Sequence, residues 1–483
     1  MKRFFTFLFL SFFGIAVFSQ TRTEKDLLGE KQIPADAYYG VQTMRALENF
    51  QVSGVTTKFY PDYVKAFAMV KLAAARANSE DGRLSKEKLA AIEKACQAVM
   101  DGKYHDQFLV DLYQGGAGTS ANMNANEVLA NIALELSGHK KGEYKYIEPH
   151  DDLNMGQSTN DVYPTAIKVA LLLHNDKLVK ELEALSASFH KKGEEFKNIL
   201  KMGRTEGQDA VPMTLGQEFH AFGYQLDAEI KALRKSEDYL YIQNMGATAI
   251  GTGITASPGY AEKCAGHLAK ITGKPMVMSE DLIAETSSMQ GYVMYSSALK
   301  SLSVSLAKIS QDLIFLASGP RTGIFEINLP ALQPGSSIMP GKVNPVMPEL
   351  MGEICFKVMG NDVTVTLASQ AGLLQLNAFE PVVAIAIMES QALLFKGMPL
   401  FRKQCIDGIT ANEDVLKKYI ERSVGIVTAL NPVLGYEKTT ELAKEALQTG
   451  KGILELIREK KLLTEAQIKD LLDPAKMTAP NKK

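Results

Sequence analysis

The chain has 483 residues, of which 46% are hydrophobic, and a formal net charge of −2. That length exceeds one simple core and predicts about three domains. The near-balanced charge supplies no basic surface for nucleic acid or an anionic membrane, and the absence of Trp beside 20 Met is a matter of packing composition.

Lys2 and Arg3 precede an uncharged apolar run, Phe4 to Phe18, that closes in Val17-Phe18-Ser19. Basic residues, a short apolar stretch and small or branched residues before a cut form the layout of a cleavable signal peptide. The expectation is a leader over 1–19, cut after Ser19, and a periplasmic or secreted protein with no stable membrane association once the leader is gone. The run is shorter than the about 20 residues a membrane span needs, and no later segment reads as a span. Cys96, Cys264, Cys355 and Cys405 lie far apart without metal or redox spacing, so they read as buried free thiols.

From Ser53 onward the chain reads as mostly helical. A long helix is expected from about Asp161 to Leu200, with Ile167, Ala170, Leu171, Leu173 and Leu178 apolar, and another over Gln217 to Asn244. The clearest helix carries Leu299, Leu302, Leu306, Ile309, Leu313 and Leu316 at alternating three- and four-residue steps, a heptad stripe. Its other face holds Ser297, Ser301, Ser303, Ser305 and Ser310, and Gly319-Pro320 stops it. Further helices are expected over Pro348–Ala371 and Pro381–Gly408, then three shorter ones over Glu441–Thr449, Ile453–Glu459 and Glu465–Leu472. The fold class is therefore all-α. Its domains are a mainly helical N-terminal domain over 20–157, a central helical bundle over 158–412, and a small helical domain over 413–483. Some helices are apolar on more than one face, which points to burial against other subunits.

Four polar clusters interrupt this pattern. They are Gly115 to Asn124, Gly156-Gln157-Ser158-Thr159-Asn160-Asp161, Gly203-Arg204-Thr205-Glu206-Gly207-Gln208-Asp209, and Gly335-Ser336-Ser337-Ile338-Met339-Pro340-Gly341-Lys342-Val343-Asn344-Pro345. The last lies between prolines and glycines that forbid regular structure. An apolar core gains nothing from such a segment, whereas a loop closing over an anion gains much. Hydroxyls, amides and a single Lys suit a dicarboxylate, which they hold by charge-assisted hydrogen bonds.

The Gly335–Pro345 run resembles the signature loop of the fumarase/aspartase superfamily, and the other three clusters fall in that family's order. The resemblance covers nearly all of the chain beyond the leader and is strongest to the aspartases. It implies a three-domain fold whose long central helices form a tetrameric core. It also implies reversible elimination of ammonia from L-aspartate to give fumarate, in a homotetramer whose sites each draw on three subunits. Residue by residue, Ser336 matches the loop serine used as general base. Lys342 and Asn344 match the groups that hold the α-carboxylate. Thr119, Ser158, Thr159 and Ser337 match the donors around the β-carboxylate, and Asn160 and Thr205 match positions near the amino group. Glu349 matches an acid standing behind these. The alternatives are a fumarate hydratase and an inactive exported scaffold. Glu206 departs from the family, which carries His or a neutral amide there. It reads as an ion-pair partner of Arg204, as drift at a tolerant position, or as a group facing the substrate ammonium.

Gly251-Thr252-Gly253-Ile254-Thr255-Ala256 has the look of a dinucleotide fingerprint but lacks a βαβ unit. Gly335 to Lys342 has one residue too many between its glycines for a phosphate loop. The seven histidines show no paired ligand spacing, so neither a catalytic metal nor a cofactor is expected.

Overall fold

A computed structural model describes residues 20–478; the leader expected over 1–19 lies outside the described residues. The chain opens with a hairpin, β1 (Thr21–Asp26) and β2 (Gly29–Pro34), followed by α1 (Val41–Asn49), α2 (Pro61–Glu80), α3 (Lys86–Met100), α4 (Thr119–Leu136) and α5 (Thr159–Glu195). A second hairpin, β3 (Leu200–Thr205) and β4 (Gln208–Thr214), leads into α6 (Leu215–Ser236). A short strand β5 (Ile242–Gln243) precedes α7 (Tyr260–Thr272), and β6 (Val277–Met278) precedes α8 (Leu282–Ser287) and α9 (Gln290–Leu316). Next come β7 (Ile327–Asn328), α10 (Val346–Gln370), α11 (Glu380–Gln404) and β8 (Thr410–Ala411). The helices α12 (Glu413–Arg422), α13 (Val427–Leu434), α14 (Tyr436–Thr449), α15 (Ile453–Glu459), α16 (Glu465–Leu471) and α17 (Pro474–Thr478) complete the described chain. The all-α reading holds, with four small two-stranded sheets among the described residues.

The chain forms two compact units. The first runs to Ala166 and includes Met245–Gly273. In it α2 packs against α3 and α7, and α4 against α1 and α3. The all-alanine stretch Ala73-Ala74-Ala75 of α2 is buried, which lets these helices approach closely. Ser85 caps α3, its hydroxyl accepting from Lys88 N at 3.2 Å.

The second unit comprises Ile167–Asn244 and the chain from Lys274 onward. Its centre is α10 packed on α9 and α11. All six heptad residues of α9 are buried, as are Ser303 and Ser310. Ser301 and Ser305 donate to Glu229 of α6 at 3.1 and 2.7 Å. A capping box starts α6: Thr214 Oγ1 accepts from Gln217 N, and Gln217 Oε1 from Thr214 N, both at 3.0 Å. Ile420, Ile426, Leu430, Leu442 and Leu456 build a C-terminal core that also takes in Met202 of β3. The second hairpin is thus anchored in the C-terminal helices.

Three expectations need correction. The helix read over Gln217–Asn244 ends at Ser236. Buried Glu237 is held by Asn175 Nδ2 at 2.6 Å and Tyr241 Oη at 2.6 Å, and this tertiary anchoring turns the chain into β5. The helix read to about Leu200 ends at Glu195, and Leu200 opens the β3–β4 hairpin that carries the Gly203–Asp209 cluster. One stretch, Glu380–Gly408, does have the length and apolar composition of a membrane span, but 61% of its most apolar window is buried inside the structure. Val383, Ile387, Leu394, Met398 and Phe401 form that buried side. All four cysteines are buried and free, as expected.

Candidate active site

In the first unit, the backbone is left-handed at Gly116, Ala117 and Gly118, with φ of 85°, 54° and 89°. A Cβ at Gly118 would sit 2.3 Å from the Tyr163 ring, so only glycine allows this turn to start α4 here. The turn presents Thr119 as the first residue of α4, exposed, with its hydroxyl donating to Gly116 O at 2.8 Å.

The same unit places Ser158, Thr159 and Asn160 at the start of α5. Ser158 Oγ accepts from Asn160 N at 3.2 Å, and Asp161 Oδ1 accepts from Ser158 N at 3.0 Å. Asn160 Nδ2 donates to Ala249 O at 2.7 Å, and Asp161 Oδ2 accepts from Thr248 N at 2.8 Å. Thr159 Oγ1 accepts from Asn122 Nδ2 at 3.1 Å, which joins the first polar cluster to the second. Ser158 therefore acts as a helix cap, and a cap leaves the amide-rich helix start suited to a carboxylate.

Behind this turn lies a residue that sequence reasoning missed. Lys71 of α2 is fully buried, and its Nζ donates to Asn154 Oδ1 and Gln157 Oε1, both at 2.9 Å. Asn122 and Asn126 also donate to Asn154 Oδ1, at 3.2 and 3.1 Å. Burial pushes the Lys71 pKa down to about 7 and the Asp161 pKa up to about 7, while their mutual attraction opposes both shifts. A lysine more than 80 positions upstream in the chain carries no local signal, although an ammonium in an alanine-rich helix is itself an anomaly.

In the second unit, the hairpin β3–β4 carries Arg204 and Thr205 and turns through Glu206 and Gly207, with φ of 56° and 77°. Two positive φ values at the centre of a two-residue loop make a type I′ turn, a geometry that favours Asn or Gly over Glu. Thr205 and Glu206 are both exposed. Arg204 Nη1 donates to Glu326 Oε1 at 2.6 Å, so the guanidinium is engaged by Glu326 and the Arg204–Glu206 pairing is not the one formed. Glu326 also pairs with Lys201, which reaches Glu218 at 2.6 Å. Burial raises the Glu218 carboxyl above its usual pKa, against the pull of Lys201.

The Ser336 loop closes on itself. Gly335 N donates to Lys342 O at 2.7 Å, and Asn344 Nδ2 to Gly335 O at 2.9 Å. Ser336 Oγ accepts from Ile338 N at 3.2 Å and Met339 N at 3.0 Å. Ser336 and Asn344 are half-buried, whereas Ser337, Lys342 and Glu349 are exposed. Lys342, Asn344 and Glu349 line one cleft of about 620 Å³ together with Ser318 and Asn328. Asn328 is fixed there by the β7–β8 pairing and by Asn412 Oδ1 at 2.7 Å.

The predicted residues thus form two ordered groups. Thr119, Ser158, Thr159 and Asn160 belong to the first unit, and Thr205, Glu206, Ser336, Ser337, Lys342, Asn344 and Glu349 to the second. The first group is built from hydroxyls and an amide, and the second adds the Lys342 ammonium, all donors that an anionic substrate needs, beside the two carboxylates Glu206 and Glu349.

A family profile described as "Lyase" matches residues 29–360, and one described as "Fumarase C C-terminus" matches 426–479. The chain is 55% identical over 463 residues to an aspartate ammonia-lyase of Pseudomonas aeruginosa, covering 96% of this chain and 98% of that one. It is 51% identical over 460 residues to an aspartate ammonia-lyase of Escherichia coli strain K12, covering 95% and 96%. The crystal structure of a fumarate lyase:delta crystallin from Brucella melitensis bound to cobalt superposes with a TM-score of 0.92 at 48% identity, covering 95% of this chain and 100% of that one. With its helical fold and its four polar clusters, the chain belongs to the aspartate ammonia-lyase family of the fumarase/aspartase superfamily and is a carbon–nitrogen lyase.

Proposed function

We propose that this lyase eliminates ammonia from L-aspartate to give fumarate, reversibly, with Ser336 as the base. Ser336 Oγ takes a proton from the carbon beside the β-carboxylate, the electron pair spreads onto that carboxylate, and the amino group then leaves as the double bond forms. The observation that carries this reading is the pair of amides at Ser336. Ile338 N and Met339 N both point at its Oγ. Donors aimed at an oxygen favour its anionic form, which is what an otherwise weak hydroxyl base requires. Lys342 and Asn344 hold the α-carboxylate. Thr119, Ser158, Thr159 and Ser337 donate to the β-carboxylate, whose charge grows in the transition state. Asn160 and Thr205 attend the amino group, and Glu349 stands behind the loop.

The two groups of residues meet between copies of the chain in a homotetramer. Support comes from Phe356, Val363 and Leu367 of α10, which are more than half exposed on the isolated chain and need covering. Sedimentation at the mass of a single copy would remove this arrangement. The leader over 1–19 sends the protein out of the cytoplasm, and the N-terminal sequence of the protein recovered from cells tests that directly.

The amination direction tests the reaction. Fumarate and ammonium incubated with the protein are expected to yield L-aspartate, followed by proton NMR. Malate in its place would make the protein a hydratase.

Glu206 sets the leaving group. A non-glycine residue held at positive φ beside Thr205 is strained, and such strain is retained where the side chain is used. A carboxylate there attracts the charged ammonium of aspartate more strongly than the uncharged hydroxyl of malate, which it can engage only by a hydrogen bond. Glu206→Gln is expected to lower kcat/KM for aspartate by about 10-fold, corresponding to roughly 1.4 kcal/mol. The Tm should be unchanged. Unaltered kinetics with aspartate and malate would rule this role out.

A further inference from the structure

His190 of α5 and His220 of α6 meet in the second unit, although 30 positions separate them. Their Nδ1 atoms lie 3.1 Å apart. Each ring is oriented from behind by a carboxylate: His190 Nε2 lies 3.0 Å from Asp227 Oδ2, and His220 Nε2 lies 3.1 Å from Glu194 Oε1. Asp227 is itself fixed by Ser186 Oγ at 2.5 Å. The nearby cations are Lys231 beside Asp227 and Lys197 at 3.5 Å from Glu194.

The seat for these rings is built into both helices. A Cβ at Gly193 would lie 2.5 Å from the His220 ring, and one at Gly223 would lie 2.7 Å from the His190 ring. His190-Lys191-Lys192-Gly193 and His220-Ala221-Phe222-Gly223 are thus the same His-x-x-Gly pattern used reciprocally. Each glycine makes room for the histidine of the other helix. Side-chain exposures of 28% and 27% leave the pair open to solvent on one side.

Two neutral imidazoles whose Nε2–H groups face carboxylates present their Nδ1 lone pairs to each other. That contact is satisfied by one shared proton or by one metal ion. Nitrogen ligands about 2.0–2.1 Å from a tetrahedral ion stand roughly 3.3 Å apart, close to the spacing found. A carboxylate behind each imidazole is the arrangement that fixes a metal-binding tautomer.

We propose that His190 and His220 form a two-imidazole site for a divalent transition-metal ion of the zinc or copper type, with water completing its coordination. Among the described residues no group of three or more His, Cys, Asp or Glu is placed to hold a metal, so this is a two-ligand site. Imidazole nitrogen selects such ions over magnesium or calcium. The ion ties the end of α5 to the start of α6, the two helices that flank the β3–β4 hairpin. Its role is to clamp that hairpin's base.

The test uses the full-length chain without a histidine tag, treated with EDTA and then dialysed. Titration with Zn²⁺ by calorimetry should show one ion per chain and a raised Tm. His190→Gln and His220→Gln should each abolish that binding while leaving the uncomplexed activity intact. Asp227→Asn should weaken it by about 10- to 100-fold. Cu²⁺ added to the unsubstituted protein should give an electron paramagnetic resonance spectrum with superhyperfine structure from two nitrogens, a readout that needs no variant to fold. Absence of Zn²⁺ binding, binding that survives both substitutions together, or a spectrum with fewer than two nitrogens would overturn the proposal.

Discussion

Ser336→Ala is expected to lower kcat for aspartate elimination by about 10²- to 10⁴-fold, the range a positioned proton-transfer group supplies. The Tm should barely move. The Ser336 hydroxyl accepts two backbone amides of its own loop, and residues 337–343 around it are exposed, so water can replace the lost acceptor. Ser337→Ala, at one of several proposed carboxylate donors, is expected to cost less. Parallel steady-state assays and thermal melts separate the two effects. A Ser336→Ala enzyme with a near-normal rate would take the base away from this residue, and one with a collapsed Tm would make the serine structural.

The largest stability loss is expected from Glu326→Ala. Glu326 is fully buried between Arg204 at 2.6 Å and Lys201 at 2.7 Å, and Lys201 itself is 1% exposed. The Lys201 contact is a buried ion pair. Removing the carboxylate leaves Lys201 with Glu218 alone and leaves Arg204 unpaired beside Tyr419, 5.7 Å below it. Breaking one side of a buried pair costs about 3–5 kcal/mol. Urea unfolding followed by circular dichroism measures it. A loss under about 1 kcal/mol would mean that the cluster behaves as a solvated surface pair. The same change should loosen the Arg204–Thr205 strand, because Arg204 has lost its anchor.

Much of this architecture is legible in the sequence because its signals are periodic or compositional. The α9 stripe from Leu299 to Leu316 needs only helical spacing, and the Ser336 loop announces itself by prolines and glycines. What escapes is set by distance along the chain. Lys71 and Asn154 meet across two helices and several turns, and neither has a neighbour that betrays the contact. The β3–β4 hairpin hides behind its turn, since Glu206-Gly207 carries a charged residue where Asn is the usual sign. Arg204 pairs with Glu326, 122 positions away, and not with the acid two residues on. The helix expected to reach Asn244 stops at Ser236 because buried Glu237 finds partners on other elements. His190 and His220 share a motif, but its meaning depends on two helices lying side by side.

A loop and helix-start donors that serve an amino dicarboxylate would release fumarate from L-aspartate. The measurement that bears on this most directly is fumarate appearance, read by its own ultraviolet absorbance, with the purified protein offered L-aspartate and L-malate separately. The expected result is fumarate from aspartate and none from malate. Fumarate from malate alone would contradict it and assign the same residues to water elimination.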